Sequence, residues 1–269
     1  MGSTTTGTLE VIEKGGCSGS HPVPLVFVHG AFQAAWCWDE HFLDFFADHG
    51  YRAVAFSLRG HGSSPSPKPV RTCSIADYVE DLSSVCADLT PHPVLIGHSM
   101  GGFVVQKYLE THNAPGAVLM ASAPPRGHLR SLTRLFRHKP WNCLKFGLTG
   151  DPSDLYGTSD GFRTLYFSEA TADAVLADAA KRFQPDSLRA LNLDMTLGDR
   201  VTPERVSTSL VVLGGQSDGT YTRTDVLTTA AAYRTVAEFF PGTGHQMMLD
   251  STWASVAQRI HIWLASRGV

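Results

Sequence analysis

Paired cysteines, long apolar runs and an excess of either charge are all missing from this sequence, and each absence excludes a class of protein. The five cysteines (Cys17, Cys37, Cys73, Cys86 and Cys143) are odd in number and show no CxxC spacing. Neither a disulfide framework nor a zinc site is expected of them, and a reducing, cytoplasmic location is. Twenty-two basic against 25 acidic residues give a formal net charge of −3. No global field draws such a chain to nucleic acid or to an anionic membrane. No apolar stretch reaches the roughly 18 residues that mark a membrane span, and no basic n-region followed by an apolar h-region opens the chain. The opening MGSTTT fits the myristoylation pattern in form only and reads as a disordered terminus. There is no HExxH, no GxGxxG and no P-loop, so no metal and no organic cofactor is expected. No internal repeat is visible, and nothing in the composition specifies an oligomeric state.

What is present describes an ordinary globular protein: 269 residues, 43% hydrophobic and 17% charged, enough to bury a large core. TLEVIEK reads as an edge strand. PVPLVFVHG (Pro22 to Gly30) is an apolar run bounded by Pro and Gly, the pattern of a strand buried on both faces. AWCWDEHFLDFFADHG carries apolar residues at helical spacing and stops at Gly50. YRAVAFSL predicts the next strand, and RGHGSSPSPKP a loop. SIADYVEDLSSVCADL predicts a helix capped by Ser74, with Asp77 completing a capping box. PVLIG, a helix from about Gly101 to His112, and GAVLMAS continue the alternation. Such a rhythm implies an α/β fold with a parallel sheet.

After Ala123 the rhythm fails. A mostly helical stretch broken by HKPWNC, TGDPSD and FQPDS runs to about Val206, and the alternation then resumes with SLVVLGG, a helix near Thr222 to Ala232, RTVAEFF and a terminal amphipathic helix. The expected organisation is a core (1–122), a helical cap (123–206) and the rest of the core (207–269). Within the cap, the basic stretch Arg126, Arg130, Arg134, Arg137 and Lys139 reads as a solvated helix face.

GHSMG, Gly97 to Gly101, fits G-x-S-x-G with an apolar strand before it and a helix after it. A tight strand-to-helix turn strains the serine backbone and brings neighbouring chain close, which is why glycines stand at 97, 101 and 102. The turn lifts the Ser99 hydroxyl to the carboxyl edge of the sheet, with a helix N-terminus aimed at developing negative charge. A serine is a poor nucleophile without a base. Among 12 histidines, His245 lies in a Gly-rich loop between a strand and the last helix. His29 and His98 read instead as turn residues with satisfied rings. The acid that orients the imidazole is expected to be Asp218, in the loop after a buried strand; Asp225 falls within a helix, Asp199 before the strand, and Asp250 reads as a cap of the last helix. Oxyanion donors are expected from the backbone N–H groups of Met100 and of Ala31. The side chains of Phe32, Trp36 and Met100 are candidates for the pocket wall.

FVHGAFQAAWCW, SLRGHGSS, LIGHSMGG, GGQSDGT and PGTGHQMMLD together resemble the α/β-hydrolase superfamily, in its lipase/esterase-like branch with a helical cap. HGAFQAAWCW is also similar to the plant methylesterase and hydroxynitrile lyase group. One departure is Ser57, which stands where the superfamily's D-x-R-G-H-G turn has an acid and so removes a turn acceptor. Epoxide hydrolases and haloalkane dehalogenases of this superfamily use an Asp nucleophile where this chain has Ser99. Hydroxynitrile lyases need a pocket lysine, and none is recognisable here. The resemblance therefore implies a serine hydrolase of carboxylic esters, and the Leu-, Phe- and Trp-rich cap points to a small or medium hydrophobic substrate. Carbon–carbon hydrolases, perhydrolases, cofactor-independent oxygenases and a hydrolase-fold receptor remain as alternatives on the same residues.

Overall fold

The structure is a computed structural model that describes residues 8–198 and 200–269. Met1 to Thr6 and Asp199, one of the acids weighed against Asp218, lie outside the described residues.

Among the described residues the apolar runs form seven strands: β1 (Val11–Lys14), β2 (Leu25–Val28), β3 (Ala53–Phe56), β4 (Val94–His98), β5 (Ala117–Met120), β6 (Leu210–Gly215) and β7 (Ala237–Phe240). They join in the order β1-β3-β2-β4-β5-β6-β7, with β1 antiparallel at one edge and every other pair parallel. Strands β2 to β6 are buried at every position, which is why they read as unbroken apolar runs rather than as alternations. Val26 and Val28 point into one core, Leu25 and Phe27 into the other, so each face of the sheet carries its own helical layer.

The stretch read as one helix after β2 forms two, α1 (Trp36–Asp39) and α2 (Phe42–Asp48). The break is at His41, whose φ of −149° is not helical; it lets Trp38, Phe42 and Phe46 all pack on Phe27. Gly50 ends α2 at φ +83°. Its N–H donates to Ala47 O and that of Tyr51 to Phe46 O, the left-handed closure that favours glycine. Helix α3 (Ile75–Ala87) starts with both halves of the Ser74–Asp77 capping box in place, as its sequence predicts. Helix α4 (Met100–Tyr108) follows β4 directly.

Between β5 and β6 stand α5 (Leu129–His138), α6 (Pro140–Thr149), α7 (Pro152–Tyr156), α8 (Ser159–Tyr166), α9 (Asp173–Arg182) and a π-helical turn, Arg189–Asp194. The sheet then closes with α10 (Arg223–Ala232) and α11 (Trp253–Ala265). The basic stretch is not uniformly solvated. Arg126, Arg130 and Arg137 are exposed, whereas Arg134 and Lys139 are half-buried and line a cavity. The turn after β3 also differs from expectation. Ser57 Oγ donates to Glu10 Oε2 at 2.5 Å and accepts from Ala35 N–H at 2.9 Å, and the same carboxylate accepts Ser63 N–H. The acid absent at position 57 is thus supplied by the segment leading into β1.

Candidate active site

Strand β4 is the middle strand of seven, and the chain turns sharply at its end into α4. Ser99 takes φ +53°, ψ −117°, a region that L side chains rarely adopt. The fold holds it there: Ser99 N–H donates to Met120 O, and Ser99 O accepts from Phe103 and Ala123 N–H. A Cβ on Gly97 would come within 2.7 Å of Gly101 O and Gly102 Cα, so the helix can pack this close to the strand only above a glycine. The hydroxyl consequently stands at the sheet edge, at the mouth of the turn.

Two loops from the far half of the chain meet it. His245 follows β7, and its Nε2 lies 3.0 Å from Ser99 Oγ; its Nδ1 lies 2.9 Å from Asp218 Oδ2. The other oxygen of Asp218 accepts the N–H groups of Thr220 and Tyr221 at 2.7 and 2.9 Å, which turns Oδ2 toward the imidazole. With Nδ1–H donating to the carboxylate, the lone pair of Nε2 faces the serine. Residues 99, 218 and 245 are thereby brought into one line.

The turn after β2 passes over the serine. A Cβ on Gly30 would lie 2.7 Å from His98 Nδ1 and 2.9 Å from Ser99 Cβ, so only glycine fits. Ala31 and Met100 both border the cavity beside Ser99. Met100 opens α4, where backbone N–H groups have no intrahelical partner. The cavity encloses about 260 Å³ and its wall is mostly apolar. Phe32 lines it together with Phe146, Leu155, Leu165 and Met195.

Trp36 does not line it. That indole sits at the start of α1 with the Arg182 guanidinium 4.0 Å above its ring, a cation–π contact that fastens α9 to the core. Asp250 is not a helix cap either. It is fully buried and accepts Ser168 N–H and Oγ–H and Gly244 N–H, tying the insertion to the residue before His245. His98 is only half satisfied. Its Nε2 donates to His245 O at 2.9 Å, while Nδ1 has no hydrogen-bond partner among the described residues. Burial, with His245 and His29 adding to it, holds its pKa well below the usual histidine value, so the neutral ring steadies the His245 backbone. Asp225 completes a capping box with Thr222 at the start of α10. A lysine does reach the cavity after all: Lys139, whose Nζ donates to Tyr156 O at 3.2 Å.

Tyr221 and Tyr166 went unread in the sequence. Their rings lie 5.6 and 6.1 Å from that of His245, and burial pushes both phenols well above their usual range. Tyr221 stands three residues after Asp218, a spacing visible in the sequence. No such cue existed for Tyr166, which arrives from the insertion.

A mostly parallel sheet with a sharp serine turn at its centre, met by a histidine and an aspartate from later loops, defines the α/β-hydrolase class of fold. The chain belongs to the alpha/beta hydrolase family, whose sequence model matches residues 25–259. It is similar to a pFDCC methylesterase of Arabidopsis thaliana, 38% identical over 65% of this chain and 70% of that one. A non-heme chloroperoxidase of Streptomyces lividans is 37% identical over 107 residues, and this match spans only 38% of the relative's length. The structure resembles that of a thermophilic esterase from Thermogutta terrifontis, with a TM-score of 0.74 at 20% identity over 97% of this chain and 94% of that one, a likeness of fold.

Proposed function

We propose that the protein is a serine esterase that cleaves carboxylic esters of small to medium hydrophobic substrates through an acyl-enzyme. The observation that carries this reading is the unbroken line Ser99–His245–Asp218, at 3.0 and 2.9 Å, beside a mostly apolar cavity. Ser99 Oγ attacks the ester carbonyl carbon while its proton passes to His245 Nε2. Asp218 stabilises the imidazolium, and the N–H groups of Ala31 and Met100 hold the oxyanion. The alcohol leaves with the proton from Nε2. Water, deprotonated by the same nitrogen, then attacks the acyl carbon and regenerates Ser99.

Residues 123–206 act in this reading as a cap whose apolar side chains select the acyl or alcohol group. The five free cysteines suit a reducing, cytoplasmic setting. The methylesterase relative supports ester hydrolysis. The chloroperoxidase relative favours a second reading, perhydrolysis, in which hydrogen peroxide replaces water and the acyl group leaves as a peracid. The test is the rate of p-nitrophenyl ester hydrolysis, acetate through laurate, by wild type and by Ser99→Ala. Turnover in the first that disappears in the second is expected, whereas full turnover by the alanine variant in a folded state sinks the reading. Adding hydrogen peroxide with an ester and measuring peracid separates the two outcomes.

A further inference from the structure

Phe32 follows the expected oxyanion donor Ala31 and has a backbone φ of +68°, a left-handed conformation unusual for a bulky residue. Something must hold it there, and both of its backbone polar groups are held by one segment of the insertion. Phe32 N–H donates to Asp186 Oδ2 at 2.8 Å, and Phe32 O accepts from Gln184 N–H at 2.9 Å. Gln184 also reaches the neighbouring turn with its side chain: its Oε1 accepts Gly62 N–H, and its Nε2 donates to Gly60 O. Asp186 is itself buried and fixed. His61 Nε2 stands 3.1 Å from the oxygen that takes Phe32 N–H, and Ser187 N–H and Tyr78 O–H donate to the other oxygen. Nothing here belongs to the Ser99–His245–Asp218 line. Even so, the arrangement grips the chain one residue beyond Ala31, and Gly30 on the other side of Ala31 sits directly on Ser99.

We infer that Asp186 is a positioning residue for the oxyanion turn: by holding the strained Phe32 N–H it aims the Ala31 N–H at the carbonyl oxygen above Ser99. The inference rests on the esterase reading for its chemistry but not for its geometry. The insertion therefore does more than roof the cavity. It completes the transition-state site, and seating of residues 184–186 and readiness of the oxyanion turn become one event.

The test is Asp186→Ala, with Asp186→Asn as the volume-preserving form should the alanine variant fail to fold. On p-nitrophenyl butyrate, kcat should fall about 10²-fold, near the cost of a lost oxyanion donor, with KM within about threefold of wild type. Repeating the substitution in a Phe32→Asn background tests the cause, because asparagine tolerates positive φ; there the loss of kcat should shrink by about tenfold. A folded Asp186 variant with wild-type kcat overturns the inference, as does an equal loss in both backgrounds. Amide hydrogen exchange at Ala31 and Phe32, read without substrate, stands apart from the esterase question. Faster exchange in the variant supports the positioning role even if wild type proves inert on every ester, which would sink the esterase reading instead. Unchanged exchange overturns the positioning role.

Discussion

Among the described residues two buried histidines stand against buried aspartates. His245 hydrogen-bonds to Asp218, whereas His61 Nε2 lies within ion-pair distance of Asp186 but outside hydrogen-bond geometry, and their surroundings differ as well. In the first, His245 Nδ1 lies 2.9 Å from Asp218 Oδ2; in the second, His61 Nε2 lies 3.1 Å from Asp186 Oδ2. Each carboxylate has its second oxygen pinned by donors, the N–H groups of Thr220 and Tyr221 in one case, Ser187 N–H and Tyr78 O–H in the other. No side chain of the four is more than 3% exposed. The contrast is at the far nitrogen. That of His245 faces Ser99 Oγ and the cavity, whereas Nδ1 of His61 faces Arg59 O at 3.2 Å inside a closed turn. A buried His–Asp pair is therefore no signature of catalysis by itself; an acceptable nucleophile on the open side of the ring is.

Asp218→Asn should break the first pair with the largest effect. The wrong tautomer then faces Ser99, and kcat is expected to fall about 10⁴-fold while the melting temperature moves little. A steady-state assay beside a thermal melt checks both halves. His61→Gln should do the opposite. Removing one partner of a buried ion pair costs about 3–5 kcal/mol, so urea unfolding should show a clear loss of stability while turnover falls far less than for Asp218→Asn. If His61→Gln kills turnover as fully as Asp218→Asn and leaves stability intact, the division between the two pairs is wrong.

The two pairs were not equally legible in the sequence. Ser99 and Asp218 each stand just after a strand buried on both faces, which announces itself as an apolar run, and His245 stands in the Gly-rich loop after the half-buried β7. The sheet was readable for the same reason, as was the capping box at Ser74, which is complete within four residues. His61 and Asp186 lie in turns with no flanking periodicity and meet only across the sheet edge, so no local pattern links them. Position 250 misled because an acid before a helix is a common cap, and only the tertiary path of the insertion brings Ser168 N–H to it. Trp36 was misplaced because a residue near the turn after β2 can point toward Arg182 as readily as toward the cavity. The insertion itself was hard to read. In α6 two large apolar side chains, Trp141 and Leu148, are left at 77% and 84% exposure, which blurs its 3.6-residue period.

The pH dependence of stability sharpens the comparison further. Burial would lower the pKa of His61, but Asp186 outweighs it and raises that pKa above 6.5. Burial would likewise raise Asp186, but His61 and the N–H donors outweigh it and bring its pKa to about 2. A raised histidine contributes stability below about pH 6.5 that is lost as pH climbs through its folded pKa; a lowered carboxylate contributes stability above 3.8 that is lost as pH falls through about 2. The pair is thus worth most between roughly pH 4 and 6.5. His29, whose pKa falls to about 3 by burial and by the charge of His61, opposes this on the acid side. The difference between wild-type and His61→Gln stability should therefore narrow as pH rises from 6 to 9. A gap that widens over that range contradicts an ionised second pair.

Tyr78→Phe should have the smallest effect and isolates what the second oxygen of Asp186 does. The Tyr78 hydroxyl donates to Oδ1 over a long 3.3 Å, while Ser187 N–H holds the same oxygen at 2.5 Å, so the carboxylate keeps its orientation when the hydroxyl goes. The ring stays in its place among Leu82 and Val104 in the core, and no cavity opens. The loss should be one neutral-to-charged hydrogen bond in a site that retains three other partners, about 1–2 kcal/mol by urea unfolding. Turnover should stay within twofold of wild type, because Oδ2, the atom that takes Phe32 N–H, is untouched. A larger fall in kcat than in stability would mean that the orientation of Asp186 is set from the Tyr78 side, and the hold on the oxyanion turn would then extend one helix further into the core than the 184–186 segment.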